Sequence, residues 1–167
     1  ASPGVQALNE EWDGSTWSEE SDLNTARSYL VGMGTTTAAL GVGGSTNTAV
    51  ESWNGSSWSE TTEVNTGRHH AAGSSVSSTD GLVFGGDSQI ANTESWNGSA
   101  WTEVADLNTV RRQLTGTGTD NEAALAFGGE NPGSAVLAVN ELWNGASWTE
   151  VGDLNTARRE TQGRAGV

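Results

Sequence analysis

The chain has no cysteine, no lysine and only two prolines, two histidines, two phenylalanines, one tyrosine and one methionine. Without cysteine there are no disulfides, thiolate metal sites or thiol nucleophiles. No apolar run approaches the ~20 residues that a membrane-spanning helix needs, so membrane insertion is not expected, and no signal-peptide pattern opens the chain. The positive side of the charge balance is equally thin: 7 arginines face 21 acidic residues, for a net charge of −14. Such a field repels phosphate backbones, which are bound through lysine and arginine stripes, so a nucleic-acid partner is not expected either. The acidic excess reads first as a solubility device, in a medium whose salt screens the repulsion. The first residue is Ala rather than Met, which implies a processed chain or a piece of a longer one.

What the chain does have is glycine, at 23 positions, and eight tryptophans. All eight tryptophans fall in four hexads: Trp12-Asp13-Gly14-Ser15-Thr16-Trp17, Trp53-Asn54-Gly55-Ser56-Ser57-Trp58, Trp96-Asn97-Gly98-Ser99-Ala100-Trp101 and Trp143-Asn144-Gly145-Ala146-Ser147-Trp148. Asn-Gly between β-favouring residues is a strong hairpin signal, because both residues tolerate the positive φ of tight turns. A glutamate stands on each side of every hexad: Glu10/Glu19, Glu51/Glu60, Glu94/Glu103 and Glu141/Glu150. With a two-residue Asn-Gly loop, Glu51 lies opposite Trp58. With a four-residue loop the tryptophans face each other, and so do the glutamates, which is repulsive.

The rest of the unit repeats with the hexad. A short segment ending in Arg27, Arg68, Arg111 or Arg158 follows, and in every copy the first Trp precedes this Arg by 15 residues. A Gly lies five residues beyond each Arg, at Gly32, Gly73, Gly116 and Gly163, in a small-residue stretch that suits a crowded strand. Apolar runs closing on a Gly pair come next, ending at Gly43-Gly44, Gly85-Gly86 and Gly128-Gly129. Short continuous apolar runs bounded by Gly fit strands buried on both faces. Trp-to-Trp periods of 41, 43 and 47 residues, each with four strand candidates and no helical pattern, point to an all-β fold built of propeller blades. The chain length suits a single repeat domain over residues 1–167, with units starting near 9, 50, 93 and 140 and the last incomplete. Loops of variable length at 45–50, 87–92 and 130–137 are expected to be exposed, Glu130-Asn131-Pro132-Gly133-Ser134 above all.

The apolar strand closing on Gly-Gly, the variable loop, the Trp and the loop to Arg, in that order three times over and preceded by a first Trp hairpin with its own loop to Arg, resemble the kelch repeat. Kelch repeats usually carry Tyr-Asp where this chain has Trp-Asn. The wording of the repeat, with its glutamate, Trp-Asn-Gly, Trp and Leu-Asn-Thr-Ala-Arg, is also similar to kelch-like repeats in tail or fibre-type proteins of aquatic bacteriophages. The first resemblance implies a β-propeller of about four repeats, each with four antiparallel strands. The second implies a virion or other extracellular setting. The register at the ends counts four hairpins, four Gly-containing strands and three Gly-Gly strands, about 15 strands in all. One strand is therefore lacking from a four-bladed ring. Closure within the chain, closure by a second chain and a segment of a longer chain all remain open, with self-association or a longer parent favoured because open sheet edges need cover.

Candidate sites are few. An enzyme site occurs once, whereas the glutamate pairs and Arg27, Arg68, Arg111 and Arg158 recur in every copy. They read as structural, the glutamates exposed or salt-bridged to these arginines, and the arginines bonded to carboxylates or loop carbonyls between blades. Trp12, Trp17, Trp53, Trp58, Trp96, Trp101, Trp143 and Trp148 read the same way. Arg112, Arg159 and Arg164 break the repeat and are better placed for a specific contact. His69 and His70 are adjacent, and adjacent strand residues point to opposite faces, so no shared metal is assigned to them. Asp87 and Asp120-Asn121-Glu122 read as solvated turns rather than Ca²⁺ loops, for EF-hand spacing is lacking. Kelch-like copper oxidases need Cys and Tyr ligands, and this chain has only Tyr29. Asp13-Gly14-Ser15-Thr16-Trp17 resembles the Asp-box turn of sialidases but lacks the residue between Asp and Gly. No catalytic residue, cofactor or metal is assigned. The expectation is a non-enzymatic structural or interaction module whose partners are protein subunits. A carbohydrate-binding propeller lectin, with exposed Trp stacking on glycans, is the alternative. A single-site hydrolase would need a deep pocket holding His69, Arg112, Glu160 or Arg164.

Overall fold

The computed structural model describes residues 4–45, 48–87 and 90–160. Fourteen strands and no helix occur among them. Strands β1 (Glu10–Trp12) and β2 (Trp17–Glu19) form a two-stranded hairpin. Three four-stranded antiparallel sheets follow, each a simple meander. The first holds β3 (Val31–Thr35), β4 (Ala38–Val42), β5 (Val50–Trp53) and β6 (Trp58–Glu60). The second holds β7 (Ala72–Ser74), β8 (Gly81–Phe84), β9 (Thr93–Trp96) and β10 (Trp101–Val104). The third holds β11 (Thr115–Gly118), β12 (Ala124–Phe127), β13 (Asn140–Trp143) and β14 (Trp148–Val151). The first strand of each sheet lies innermost, with β7 packed against both β3 and β11, in a propeller-like arrangement. The expected fifteenth strand, around Gly163, lies outside the described residues.

The hexads form four-residue loops, so each Trp faces its partner: Trp12↔Trp17, Trp53↔Trp58, Trp96↔Trp101 and Trp143↔Trp148. The ring centroids stand 5.0–5.5 Å apart. The Asx side chain closes each loop. Asn54 Oδ1 accepts the backbone N–H groups of Ser56 and Ser57, both at 3.0 Å, and Asn97 and Asn144 do the same in their copies. In the first copy Asp13 takes this part, accepting from the backbones and hydroxyls of Ser15 and Thr16. Those hydrogen bonds, the Thr16 backbone first, hold its carboxyl well below the usual carboxylate range. A depressed folded pKa contributes stability above the unfolded value of about 4, and that contribution is lost as the pH falls through the folded value. Asp13→Asn is therefore expected to leave stability at neutral pH unchanged while flattening the pH dependence of the unfolding midpoint below about pH 4. Acid titrations of the two proteins, followed by tryptophan fluorescence, check this. Parallel curves would refute it.

The core lies between sheets rather than within them. Val31, Met33, Leu40 and Val42 of the first full sheet pack with Val83, Trp96 and Trp101 of the second. Ala72, Leu82 and Phe84 of the second pack in turn with Ala124, Ala126, Trp143 and Trp148 of the third. Each buried Trp pair thus roofs the preceding sheet. Leu82, Val83 and Phe84 are fully buried, as expected for a strand covered on both faces. The first Trp of each complete sheet donates its indole N–H to a carbonyl in the turn between the two inner strands: Trp53 to Thr36, Trp96 to Ser78 and Trp143 to Asn121. The β1–β2 hairpin has no inner strands among the described residues. A cavity of about 350 Å³ lies between it and the next sheet, lined by Glu10, Trp12, Trp17, Trp53 and Trp58 among others.

Candidate functional site

The recurring glutamates and arginines form one buried joint, built three times. On the outer hairpin strands the glutamates do face each other, as in Glu51↔Glu60, Glu94↔Glu103 and Glu141↔Glu150. The first member of each pair is buried and the second exposed. Glu51 receives the guanidinium of Arg27 at 2.9 Å, Glu94 that of Arg68 at 2.6 Å and Glu141 that of Arg111 at 3.0 Å. Each Arg also feels the exposed glutamate opposite, so one cation offsets the repulsion within the pair. Burial pushes all three guanidinium groups below their ordinary value, against the opposing pull of these carboxylates.

The remaining acceptor sites of the glutamate are filled from the Asn-Thr segment before each Arg. Asn24 N and Nδ2 donate to Glu51 Oε2 at 2.7 and 3.0 Å, and Thr25 N donates to Oε1. Asn65 and Thr66 treat Glu94 alike, as Asn108 and Thr109 treat Glu141. Arg27 further donates to the carbonyls of Gly41, Gly43 and Ala49. The Arg backbone works in the other direction. Gly44 N donates to Arg68 O, Gly86 N to Arg111 O and Gly129 N to Arg158 O. A Cβ on Gly43, Gly85 or Gly128 would stand 2.5–2.8 Å from those carbonyls, and all three glycines have positive φ. The Gly pair is there because the Arg strut of the next unit runs across it. Arg68 and Arg111 therefore each tie the preceding sheet through the carbonyl and the following sheet through the side chain.

The fourth joint has both halves but they are apart. Glu10 pairs across its hairpin with Glu19, as the other three do, yet it is exposed and no Arg reaches it among the described residues. Asn155-Thr156-Ala157-Arg158 is exposed too, and Arg158 holds the preceding sheet through Gly129, while no carboxylate among the described residues meets its guanidinium. The tryptophans follow suit. Trp53, Trp96, Trp101, Trp143 and Trp148 are at most 6% exposed, whereas Trp12 and Trp17 are 46% and 65% exposed.

The second cluster is made of residues that differ between copies. The second residue after each recurring Arg is left-handed: Tyr29, His70, Gln113 and Glu160, with φ of 59°, 53°, 52° and 54°. Their backbones chain together, His70 N to Tyr29 O, Gln113 N to His70 O and Glu160 N to Gln113 O. These four residues rim a cavity of about 460 Å³ whose walls include β3, β7 and β11. Next to this rim, Asp87 Oδ2 stands 2.7 Å from both His69 Nε2 and His70 Nδ1. Arg112 bridges Asp87 Oδ1 at 2.8 Å and Glu130 Oε1 at 2.7 Å, and Arg159 pairs with the other oxygen of Glu130. Burial pushes the Asp87 carboxyl up, but the hydrogen bonds from Arg112 and His70 and the nearby charges outweigh it, so the group lies below its ordinary value.

Several sequence expectations are corrected here. His69 and His70 precede β7 rather than lie in it, and the left-handed turn at His70 brings both imidazoles to one carboxylate. Glu130 is buried between two arginines, while Pro132, Gly133 and Ser134 of the same loop are exposed. Asp120 does form a turn, accepting from Glu122 N and Ala123 N, and Asn121 binds Ser95 and Trp96 of the preceding sheet. Arg112 and Arg159 are engaged in internal ion pairs with Glu130, and Arg112 with Asp87 too, while Arg164 lies outside the described residues. The Asn-Thr of the segment before each Arg carried the signal for the joint, since it recurs with the glutamate. A comparison with protein-family models and one with curated proteins found no match.

Proposed function

We propose that the chain is a kelch-like β-propeller module with a structural, non-enzymatic role, which joins further units of its own kind. One observation carries the reading: three identical buried joints are complete, and the two halves of a fourth lie exposed at opposite ends of the sheet array. The Asn155-Thr156-Ala157-Arg158 segment of one copy fits the Glu10 hairpin of the next, in the way that Asn108, Thr109 and Arg111 fit Glu141. That contact is head-to-tail, so it gives a ring if the rotation closes and a filament if it does not. A phage or other extracellular fibre, the setting implied by the sequence resemblance, would use either product. For the lectin alternative, burial of most of the tryptophans leaves one platform, Trp12 and Trp17, rather than four.

Sedimentation of the purified chain tests the reading. Particles heavier than one 17.3 kDa chain are expected, and Glu10→Ala or Arg158→Ala, both on exposed side chains, should return them to single chains with unchanged circular dichroism. A wild-type chain that stays single at every concentration tried would sink the proposal.

A further inference from the structure

We propose that His69, His70 and Asp87 form a binding site for a divalent transition ion of the zinc class. The donor atoms of these three residues lie within 4.8 Å of one another. Their side chains are 20%, 17% and 12% exposed, sheltered yet open to an incoming ion. Tetrahedral ligands at about 2.0–2.1 Å from zinc lie about 3.3 Å from each other. The two 2.7 Å contacts to Asp87 Oδ2 therefore open by about 0.6 Å to admit the ion, while the two imidazole nitrogens, within 4.8 Å of each other, draw to the same spacing by side-chain torsion.

The surroundings prepare the three ligands. The left-handed backbone at His70 turns its ring to the side of His69, and Tyr29 stacks on that ring with centroids 3.8 Å apart. Arg112 holds Asp87 Oδ1 and leaves Oδ2 to the histidines, the kind of outer hydrogen bond that orients a ligating carboxylate. Two imidazoles and one carboxylate select Zn²⁺, Co²⁺, Ni²⁺ or Cu²⁺ over Ca²⁺ and Mg²⁺, which favour oxygen alone. Three protein ligands leave a position for water or an added donor. Asp87, His69 and their counterparts vary together between copies: Ser28 with Ser45, His69 with Asp87, Arg112 with Glu130, each joined by a backbone hydrogen bond from the second residue to the first. Only the His-Asp version of this bracket offers nitrogen donors.

The probe is Co²⁺ alone, titrated into the full chain at neutral pH and followed by visible absorption, then displaced with Zn²⁺. Saturation at one ion per chain with the intense bands of a four-coordinate nitrogen-oxygen site is expected. His69→Ala, His70→Ala and Asp87→Asn should each weaken Zn²⁺ binding at least tenfold. The two histidine variants remove rings that are 20% and 17% exposed and leave the Arg112–Asp87 ion pair in place, so they keep the test decisive if Asp87→Asn unfolds. Absence of a saturable spectrum in the wild-type chain overturns the proposal. So does binding that survives undiminished in the His69→Ala/His70→Ala double variant, which would place the ion on surface carboxylates.

Discussion

Arg68→Ala is expected to lower the unfolding free energy by about 3–5 kcal/mol. Arg68 and Glu94 are both fully buried, at 2.6 Å, and removal of the cation leaves an anion without its partner in a desolvated place. The loss exceeds one ion pair, for Arg68 also donates to the carbonyls of Gly85 and Asn92, which would be stranded with it. An isosteric apolar pair often replaces a buried ion pair without harm. Here the double replacement Arg68→Met/Glu94→Leu is expected to remain destabilised, because the N–H groups of Asn65 and Thr66 depend on the Glu94 carboxylate. Urea unfolding of the single and double variants, beside Arg158→Ala, measures these terms. Equal midpoints for Arg68→Ala and Arg158→Ala would show that burial of the joint contributes nothing.

Gly116→Ala is expected to cost roughly 1–3 kcal/mol or more, as an overpacked core does. A Cβ there would stand 2.4 Å from the carbonyl oxygen of Gly73 and 2.7 Å from the ring of Phe84. The first obstacle is backbone of the neighbouring inner strand, and relief requires β7 and β11 to separate. Gly32 holds the same place in its own unit, on β3, but nothing lies within 4 Å of its Cβ position. Gly32→Ala is therefore expected to leave the folded chain as stable as before. If the 155–158 end of a second copy joins the Glu10 hairpin, as proposed, that copy comes to lie beside β3, where the added methyl obstructs it, and assembly is lost. Urea midpoints separate the two variants, and sedimentation reads the effect of Gly32→Ala. Normal assembly of Gly32→Ala would mean that copies join elsewhere.

How much of this was legible in the sequence depends on the range of the interaction. The hairpins were, because an Asx-Gly turn is a local matter: Asn54 satisfies the N–H groups of Ser56 and Ser57 within its own loop. The choice between two-residue and four-residue loops was not. Both keep Asn-Gly in the turn, and what favours the four-residue form is the stacking of Trp53 on Trp58 and the burial of Glu51 against Arg27, 24 residues back in the chain. The arginines were recognisable as structural from their spacing, yet the identity of their partners was ambiguous among the eight hairpin glutamates. Burial decides it: of the two glutamates opposed across each complete sheet's hairpin, the one on the interior strand is covered and the one on the edge strand is exposed. The convergence of His69 and His70 was hidden for a different reason. It turns on one left-handed residue that is not glycine, a conformation with no reliable sequence mark.

The all-β class, the repeat and its period, the turn at each hexad and the fixed places of the tryptophans and arginines were all legible along the chain. These follow from local conformational preference and from the recurrence of the same residues at the same spacing. Packing between sheets sets which glutamate Arg27, Arg68 and Arg111 grip, which tryptophans stay exposed, and which charged residues gather around Asp87. Those outcomes depend on neighbours far apart in the chain, and on the difference between a sheet that has a neighbour on both sides and one that does not.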